Sequence, residues 1–412
     1  MELSTIEIAI AGAGMGGLAV GAMLARKGAR VTLYDQMTVP QPVGSGFVLQ
    51  PTGLAVIQAM GLSAPVMARG ARIDRMHGKL AGSGRTVLEI SYGARYFGVA
   101  IQRAALFDLL HAEALDAGVI FEPSSRIAGI QAGTRPRLLL EGGGQSAAAD
   151  LVIDAMGAGS PLRQRPGTEL GYGALWATVP WLADGPFHPA ELEQRYRKAS
   201  CMAGVLPVGS ARPGAPDMAT FFWSLRNGDA EAWHRAGREA WVDEVRAIWP
   251  EAAQYAEIAE PVHARYRHHT QAPIAAPGVI RIGDAWHATS PQLGQGANMA
   301  LLDAASLALA LERETSVADA LGLHVWQRRA HVHLYQALSR ILTPFYQSDS
   351  HLLPALRDMA IGPVTRLPYL SRLISLLVTG TMLDPAGRIG LDPFDTADIR
   401  TSRRQQAMPG RS

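Results

Sequence analysis

Residues 6–36, IEIAIAGAGMGGLAVGAMLARKGARVTLYDQ, leave the chain few choices of fold. Ile6, Ile8 and Ile10 alternate as a short strand does, and Gly12, Gly14 and Gly17 then give G-x-G-x-x-G, with Met15 and Gly16 at the variable positions. Leu18, Met23 and Leu24 mark one apolar helix face up to Gly28, and RVTLYD is a second strand ending in Asp35. The spacing has a mechanical reason. Gly12 permits a tight turn, Gly14 lets a pyrophosphate approach the backbone, and Gly17 lets the helix pack closely on its strand. The helix N-terminus then offers free N–H groups and the positive end of its dipole to phosphate. Asp35 stands where a carboxylate accepts hydrogen bonds from an adenosine ribose, and it repels a 2′-phosphate. The motif therefore reads as a seat for NAD or FAD and does not choose between them.

Composition removes other classes. At 412 residues the chain can bury a large core, and more than one domain is expected. A hydrophobic share of 48% with 18% charged residues excludes a disordered protein, and a net charge of +2 leaves no field for a polyanion. The basic residues are almost all arginine, with Lys27, Lys79 and Lys198 the only lysines, and they do not cluster as nucleic-acid binding requires. The single cysteine, Cys201, excludes an intrachain disulfide and reads as a small buried hydrophobe. Glu2 and Glu7 stand where a secretory signal would be positive, and the most apolar window, Leu367–Leu383, is broken by Arg372 and short of a membrane span. A cytoplasmic protein is expected. His263, His268, His269, His331 and His333 lack zinc-site spacing with a nearby acid, so no metal site is expected, and no G-x-S-x-G elbow of a serine hydrolase is present.

Three later segments narrow the reading. IQRAALFDLLHAEALDAGV (Ile101–Val119) places Arg103 ahead of a helix with Leu106, Leu109 and Leu110 on one face. ADLVIDAMGAGSPLR (Ala149–Arg163) is a buried strand and a Gly/Ser turn. GVIRIGDAWHATSPQLGQGANMALLDA (Gly278–Ala304) is a strand, a long turn and a helix starting near Gly296. Asp284 and His287 in that run could be an acid–base pair, metal ligands, or the walls of a seat for a group that does the chemistry itself. In this order, over residues 1 to about 330, the segments resemble the FAD-dependent monooxygenases of the aromatic hydroxylase type, the group A enzymes similar to p-hydroxybenzoate hydroxylase. G-D-A-x-H-x-x-x-P-x-x-G-Q-G-x-N is the most specific of the motifs.

The resemblance implies an α/β fold with a Rossmann-like FAD-binding domain of the GR2 type (1–70, 96–170 and 273–330). It also implies an inserted β-sheet substrate domain (71–95 and 171–272) and a C-terminal helical region (331–412). Asp284 would contact the ribityl and pyrophosphate part of FAD, Arg103 the cofactor, and the loop Pro291, Gly294, Gly296, Ala297 and Asn298 the isoalloxazine. His287 becomes loop support. The implied reaction consumes NAD(P)H as a transient reductant and passes one oxygen atom of O2, through a flavin C4a-hydroperoxide, to an aromatic or hydrophobic small molecule. Tyr172, Trp176, Phe222 and Tyr266, with Pro291, are the candidate substrate-pocket residues; each aromatic reads equally well as sheet core.

The chain departs from the family at two places. Met156–Gly157 stands where Asp-Gly is usual, and Asp154 either substitutes for that acid or is simply buried beside the turn. Trp286 occupies a usually small position and either fills core or shapes the pocket. Rivals on the same fold are a flavin dehydrogenase, a halogenase (whose G-W-x-W-x-I-P run is absent) and a non-catalytic escort protein such as the Rab GDP-dissociation inhibitors, which has no need of a flavin loop. In the tail, helices are expected around LHVWQRRAHVHLYQALSRIL and LPYLSRLISLLV, LTPFYQSDS reads as a turn with a helix cap, and RTSRRQQAMPGRS reads as a frayed end. Three roles are open to this tail: covering the cofactor domain, contacting a second subunit in a homodimer, or touching a membrane surface.

Overall fold

The computed structural model describes residues 1–39, 45–93, 96–364 and 368–394; the terminal RTSRRQQAMPGRS lies outside them. The Gly-rich segment folds as its spacing dictates. Strand Glu7–Ala11 runs into the turn, helix Met15–Arg26 follows, and strand Arg30–Tyr34 pairs in parallel with the first. Leu151–Asp154 joins the other side of Glu7–Ala11, with Val279–Arg281 beyond it, and Ile120–Glu122 lies beyond Arg30–Tyr34. An antiparallel edge strand, Ile274–Ala276, completes the six-stranded sheet. Ile8, Ile10, Leu18, Leu24, Leu33, Ile153 and Ile280 pack with Leu301, Leu302 and Leu307 of helix Gly296–Arg313 in the largest core cluster. Four chain segments far apart in sequence thereby converge at the carboxyl ends of the parallel strands, where open α/β sheets bind their ligands.

The second sheet has seven strands, in the order Val262–Ala264, Tyr172–Pro180, Asp217–Arg226, Cys201–Ser210, Glu191–Arg197, Arg75–Leu80, Thr86–Ser91. Side-chain alternation sorts its two faces. Leu175, Ala177, Val179, Val205, Phe221 and Trp223 pack under helix Ala230–Ile248 and the short helix that follows, against Trp241, Val245 and Tyr255. Trp176, Met202 and Phe222 point to the opposite face, with Tyr196. Cys201 lies buried in the helix-covered face as a small hydrophobe, and burial raises its thiol pKa. Between the two sheets sits a three-stranded one, Phe47–Leu49, Gly98–Ile101 and Ala71–Ile73.

Helix Val317–Tyr346 starts on a Ser316 cap, whose hydroxyl accepts from the Asp319 amide at 3.1 Å. It runs further than the sequence suggests. LTPFYQSDS is not a turn from its start: Leu342 to Tyr346 are helical, with Pro344 inside. The proline falls in the final turn, where its missing N–H costs a single helix bond. The helices Leu352–Val364 and Pro368–Val378 then lead to a turn at Gly380, and no helix among the described residues is long and apolar enough to cross a membrane.

Trp249 is 1% exposed and meets Phe187 edge-on at 5.3 Å, so it anchors the helix-covered face far from the parallel sheet. Trp249→Ala is expected to cost about 3–5 kcal/mol of stability in urea denaturation.

Candidate active site

The glycines of the dinucleotide motif divide by what a side chain would meet. A Cβ at Gly12 would lie 2.7 Å from the Ala155 carbonyl oxygen, where φ is +103°, and one at Gly17 would lie 2.0 Å from the Gly12 carbonyl oxygen. Those two positions are glycine because the backbone itself needs the space. Gly16 closes the helix Met15–Arg26 onto helix Gly296–Arg313, with Ala300 3.5 Å from its added Cβ, and Met15 is buried in the core. Gly14 is different. It is exposed, and a Cβ there would come no closer than 3.8 Å to Ala155. Its turn places the amides of Met15, Gly16 and Gly17 before the first helical bond, from Leu18 N to the Gly14 carbonyl. Asp35, half-buried, steadies that turn: its Oδ2 accepts from Ala13 N at 2.7 Å and its Oδ1 from Met37 N at 2.8 Å.

The second glycine loop repeats the arrangement from the other side. Pro291–Leu293 forms a short turn, Gly294 closes it in the left-handed region with nothing within 4 Å of an added Cβ, and helix Gly296–Arg313 begins. An added Cβ at Gly296 meets only Asp284 Oδ1, at 3.8 Å. Met299 N makes the first bond of that helix, onto Gln295 O, so the amides of Gly296, Ala297 and Asn298 precede it. Asn298 is fully buried and serves as a rivet. Its Oδ1 accepts from Gln50 N at 2.8 Å, and its Nδ2 donates to Val48 O and Gly294 O. Ser290 Oγ and Gln292 Nε2 in this loop are buried with no hydrogen-bond partner among the described residues.

Asp284 and His287 do not form a pair. Asp284 is open to solvent, yet the protein around it pushes its carboxyl pKa up, against the pull of His287 and Arg103. Arg103, also exposed, begins helix Arg103–Asp116 and brings its charge to bear on Asp284. His287 turns away. It is 1% exposed, and its Nε2 donates to Asp303 Oδ2 at 2.7 Å. Asp303 Oδ2 also accepts from Gly283 N at 2.9 Å, and its Oδ1 accepts from Arg328 Nε at 2.7 Å. Burial would raise the Asp303 carboxyl pKa, but His287 and Arg328 hold it well below the usual carboxylate range. The sequence reading missed Asp303 and Arg328. Their signal was weak: one acid inside an alanine- and leucine-rich helix, and one arginine among several in the next.

Both open alternatives at the departures resolve toward structure. Asp154 is fully buried and holds the turn after its strand, accepting from Ser160 Oγ at 2.7 Å and Met156 N at 3.2 Å, with Arg281 Nε 3.8 Å away. Trp286 is core filler, 1% exposed and packed with Met299, Val332 and Tyr335.

Three of the four candidate aromatics come together on the face of the seven-stranded sheet opposite helix Ala230–Ile248. The rings of Trp176 and Phe222 lie 4.9 Å apart, and Trp176 Nε1 donates to the Tyr266 hydroxyl oxygen at 2.5 Å. Tyr172 spends its hydroxyl on Asp349 at 2.8 Å instead. Tyr196 and Tyr346, which the sequence reading did not single out, add a second ring pair at 5.5 Å in the same cluster, with the Arg357 guanidinium about equally far from both rings.

The sequence pattern of the FAD binding domain family matches residues 5–340. The chain belongs to this family, as an FAD-dependent monooxygenase. It is 27% identical over 335 residues to 6-hydroxynicotinate 3-monooxygenase of Bordetella bronchiseptica, covering 74% of this chain and 83% of that protein. Identity is 30% over 326 residues to a 3-amino-4-hydroxybenzoate 2-monooxygenase of Streptomyces platensis, covering 73% of this chain and 78% of the other. In fold it is similar to HpxO of Klebsiella pneumoniae, solved with FAD and uric acid, at a TM-score of 0.77 and 17% identity over 92% of this chain and 98% of that one. It is also similar to 2-methyl-3-hydroxypyridine-5-carboxylic acid oxygenase, at a TM-score of 0.75 and 22% identity over 93% and 98% of the two chains. The cofactor is FAD, which settles the choice the Gly-rich motif left open.

The sorting of the glycines can be checked directly. Gly14→Ala is expected to leave the melting temperature of the FAD-free protein almost unchanged, as an exposed substitution does, and to weaken FAD binding at least about tenfold, or 1.4 kcal/mol. Gly17→Ala is expected to lower the melting temperature itself.

His324 tests the surrounding core. Burial lowers its pKa to about 4, although Asp303 opposes the shift. The unfolded chain therefore binds a proton there that the folded chain refuses, and stability falls as pH drops from about 6.5 toward 4, by on the order of 3 kcal/mol. Urea midpoints measured at pH 7 and pH 5 are expected to differ less in His324→Asn than in the parent protein.

Proposed function

We propose that the cleft between the two glycine loops holds FAD and that the Trp176–Phe222–Tyr266 face holds an aromatic substrate for hydroxylation. The observation that carries the reading is the pairing of two open glycine turns, Gly14 and Gly294–Gly296, each opening a helix whose first amides are unbonded. Both turns are open where a ring or phosphate would approach, and their free N–H groups suit negative charge. The amides of Met15–Gly17 would take the pyrophosphate, Asp35 the ribose hydroxyls, Arg103 and Asp284 the ribityl and phosphate region, and the Pro291–Asn298 loop the ring.

When bound, FAD supplies the electron transfer from NAD(P)H and the activation of O2. The chain's own part is binding, orientation and field. Helix Gly296–Arg313 turns its positive end toward the loop, which stabilises negative charge developing there. Burial raises the Tyr266 phenol pKa to about 12 although Trp176 pulls it down, so the group stays protonated at neutral pH. Its oxygen already accepts from Trp176, and its own O–H remains to be donated to a substrate oxygen or ring nitrogen. Trp176 and Tyr266 are both half-buried and so can touch a ligand.

The reading includes the division into an FAD domain, a substrate domain and a helical tail. A cytoplasmic location suits an enzyme that consumes NAD(P)H. Self-association as a homodimer is supported by the exposed stripe of Leu352, Leu356 and Met359 on one helix and of Leu373 on the next.

Purified protein is expected to be yellow and to oxidise NADPH or NADH slowly alone and at least about tenfold faster with a hydroxylated aromatic; 6-hydroxynicotinate and 3-amino-4-hydroxybenzoate are the first probes. Equal rates with and without every aromatic in a panel of such acids, phenols and pyridines would sink the hydroxylase reading. Gly296→Val, whose side chain has room in the protein but not beside a ring, is expected to purify soluble and colourless; full flavin content would remove the 291–298 loop from the seat.

A further inference from the structure

The turn Asp284–His287 is held on one side by Gln271 N, which donates to Trp286 O at 2.7 Å, by His269 N, which donates to Ala288 O at 3.1 Å, and by His269 Nε2, which donates to Asp284 O at 3.0 Å. On the side of the neighbouring helix, one buried carboxylate holds it. Asp303 stands on the neighbouring helix with no solvent exposure and takes both the Gly283 amide and the His287 imidazole on Oδ2. Its other oxygen takes Arg328 of helix Val317–Tyr346, which is equally buried. Arg328 continues the chain of contacts. It donates to His331 Nδ1 at 3.1 Å, and because arginine can only donate, His331 accepts there and carries its proton on Nε2, which donates to Gly380 O at 3.2 Å. The turn before Gly380 grips the other loop of the seat, since Gln295 Nε2 donates to Val378 O at 2.6 Å. One ion pair thus links the Asp284 turn, the start of helix Gly296–Arg313 and the C-terminal turn.

We infer that Asp303 is a positioning residue for the flavin: it touches no cofactor itself, fixes the Gly283–Asp284 turn and the charge behind the loop, and depends on Arg328 as its counter-ion. The inference rests on the proposed placement of FAD between the two loops. It has two consequences that differ from simple stabilisation. Losing the carboxylate frees the Gly283 amide and lets the turn drift, so FAD leaves faster. It also leaves the Arg328 charge unbalanced behind the loop, which favours negative charge on the reduced ring and raises the flavin midpoint potential.

The experiment uses FAD-loaded holoenzyme. Asp303→Asn is expected to release FAD at least about tenfold faster on dilution, read as recovery of flavin fluorescence, and to show a more positive midpoint potential. The double variant Asp303→Asn/Arg328→Gln carries no unbalanced charge, so it keeps the protein soluble if the single one does not. It is expected to release FAD as fast while its potential returns toward the parent value. Ser306→Ala is the control. Ser306 lies one turn beyond Asp303 on the same helix, and the substitution removes its buried hydrogen bonds to Gln327 and His324 of helix Val317–Tyr346 without touching Gly283; it is expected to change neither readout. Parent-like release and potential in both Asp303 variants would overturn the inference, as would equal changes in Ser306→Ala. If Gly296→Val also kept its flavin, the placement of FAD itself would have failed; if Gly296→Val lost flavin while the Asp303 variants kept it, only the role of Asp303 would.

Discussion

The fold depends on how closely one helix can lie on one strand. At Gly17 the helix Met15–Arg26 sits so near the Gly12 carbonyl that an added Cβ would fall 2.0 Å from its oxygen, and at Gly12 the turn presses on Ala155 of the next strand. Three backbone segments meet there with no side chain between them. Because they meet, the helix N-terminus points past the end of the sheet, and the Gly14 turn stands open beyond it. The second glycine loop has its position through the same core, with Gly16 against Ala300 and Gly283 against the same residue at 3.0 Å. Packing of the most ordinary kind therefore decides where two sets of unbonded amides stand.

Charge in this molecule follows burial. Asp303 and Arg328 are both fully buried and pay the desolvation cost of a buried ion pair. They recover it through fully used hydrogen bonds to Gly283, His287 and His331. Asp154 and Arg281 form a looser buried pair at the carboxyl ends of adjacent parallel strands, with Arg281 also donating to the Ala272 and Leu162 carbonyls. Asp35, Arg103 and Asp284 are by contrast open or half-open. The groups available to a ligand are those that the fold has left incompletely used.

Much of this was legible in the sequence because local spacing encodes it. The strand, turn and helix around Gly12–Gly17 and the helix starting at Gly296 follow from periodicity and glycine placement. The resemblance carried by the G-D-A-x-H run then gave the cofactor. Residues that act through distant partners were not legible. Asp303 looks like any acid on a helix until Gly283 and Arg328 are brought beside it, and Tyr346 joins the aromatic cluster because helix Val317–Tyr346 continues through Pro344 and sets its ring against Tyr196. Nothing local separates Tyr172 from Trp176, which share a strand and a face; Asp349, remote in sequence, takes the hydroxyl of one, and Tyr266 takes the N–H of the other.

The central claim is that two helix N-termini and their glycine turns together form one flavin seat. A crystal structure of the holoenzyme with FAD bound tests it most directly. The account expects the pyrophosphate within hydrogen-bond distance of the Met15–Gly17 amides and the isoalloxazine ring against the backbone of Pro291–Asn298. A ring lying away from that loop, or a pyrophosphate held by side chains elsewhere with the Gly14 turn empty, would contradict it.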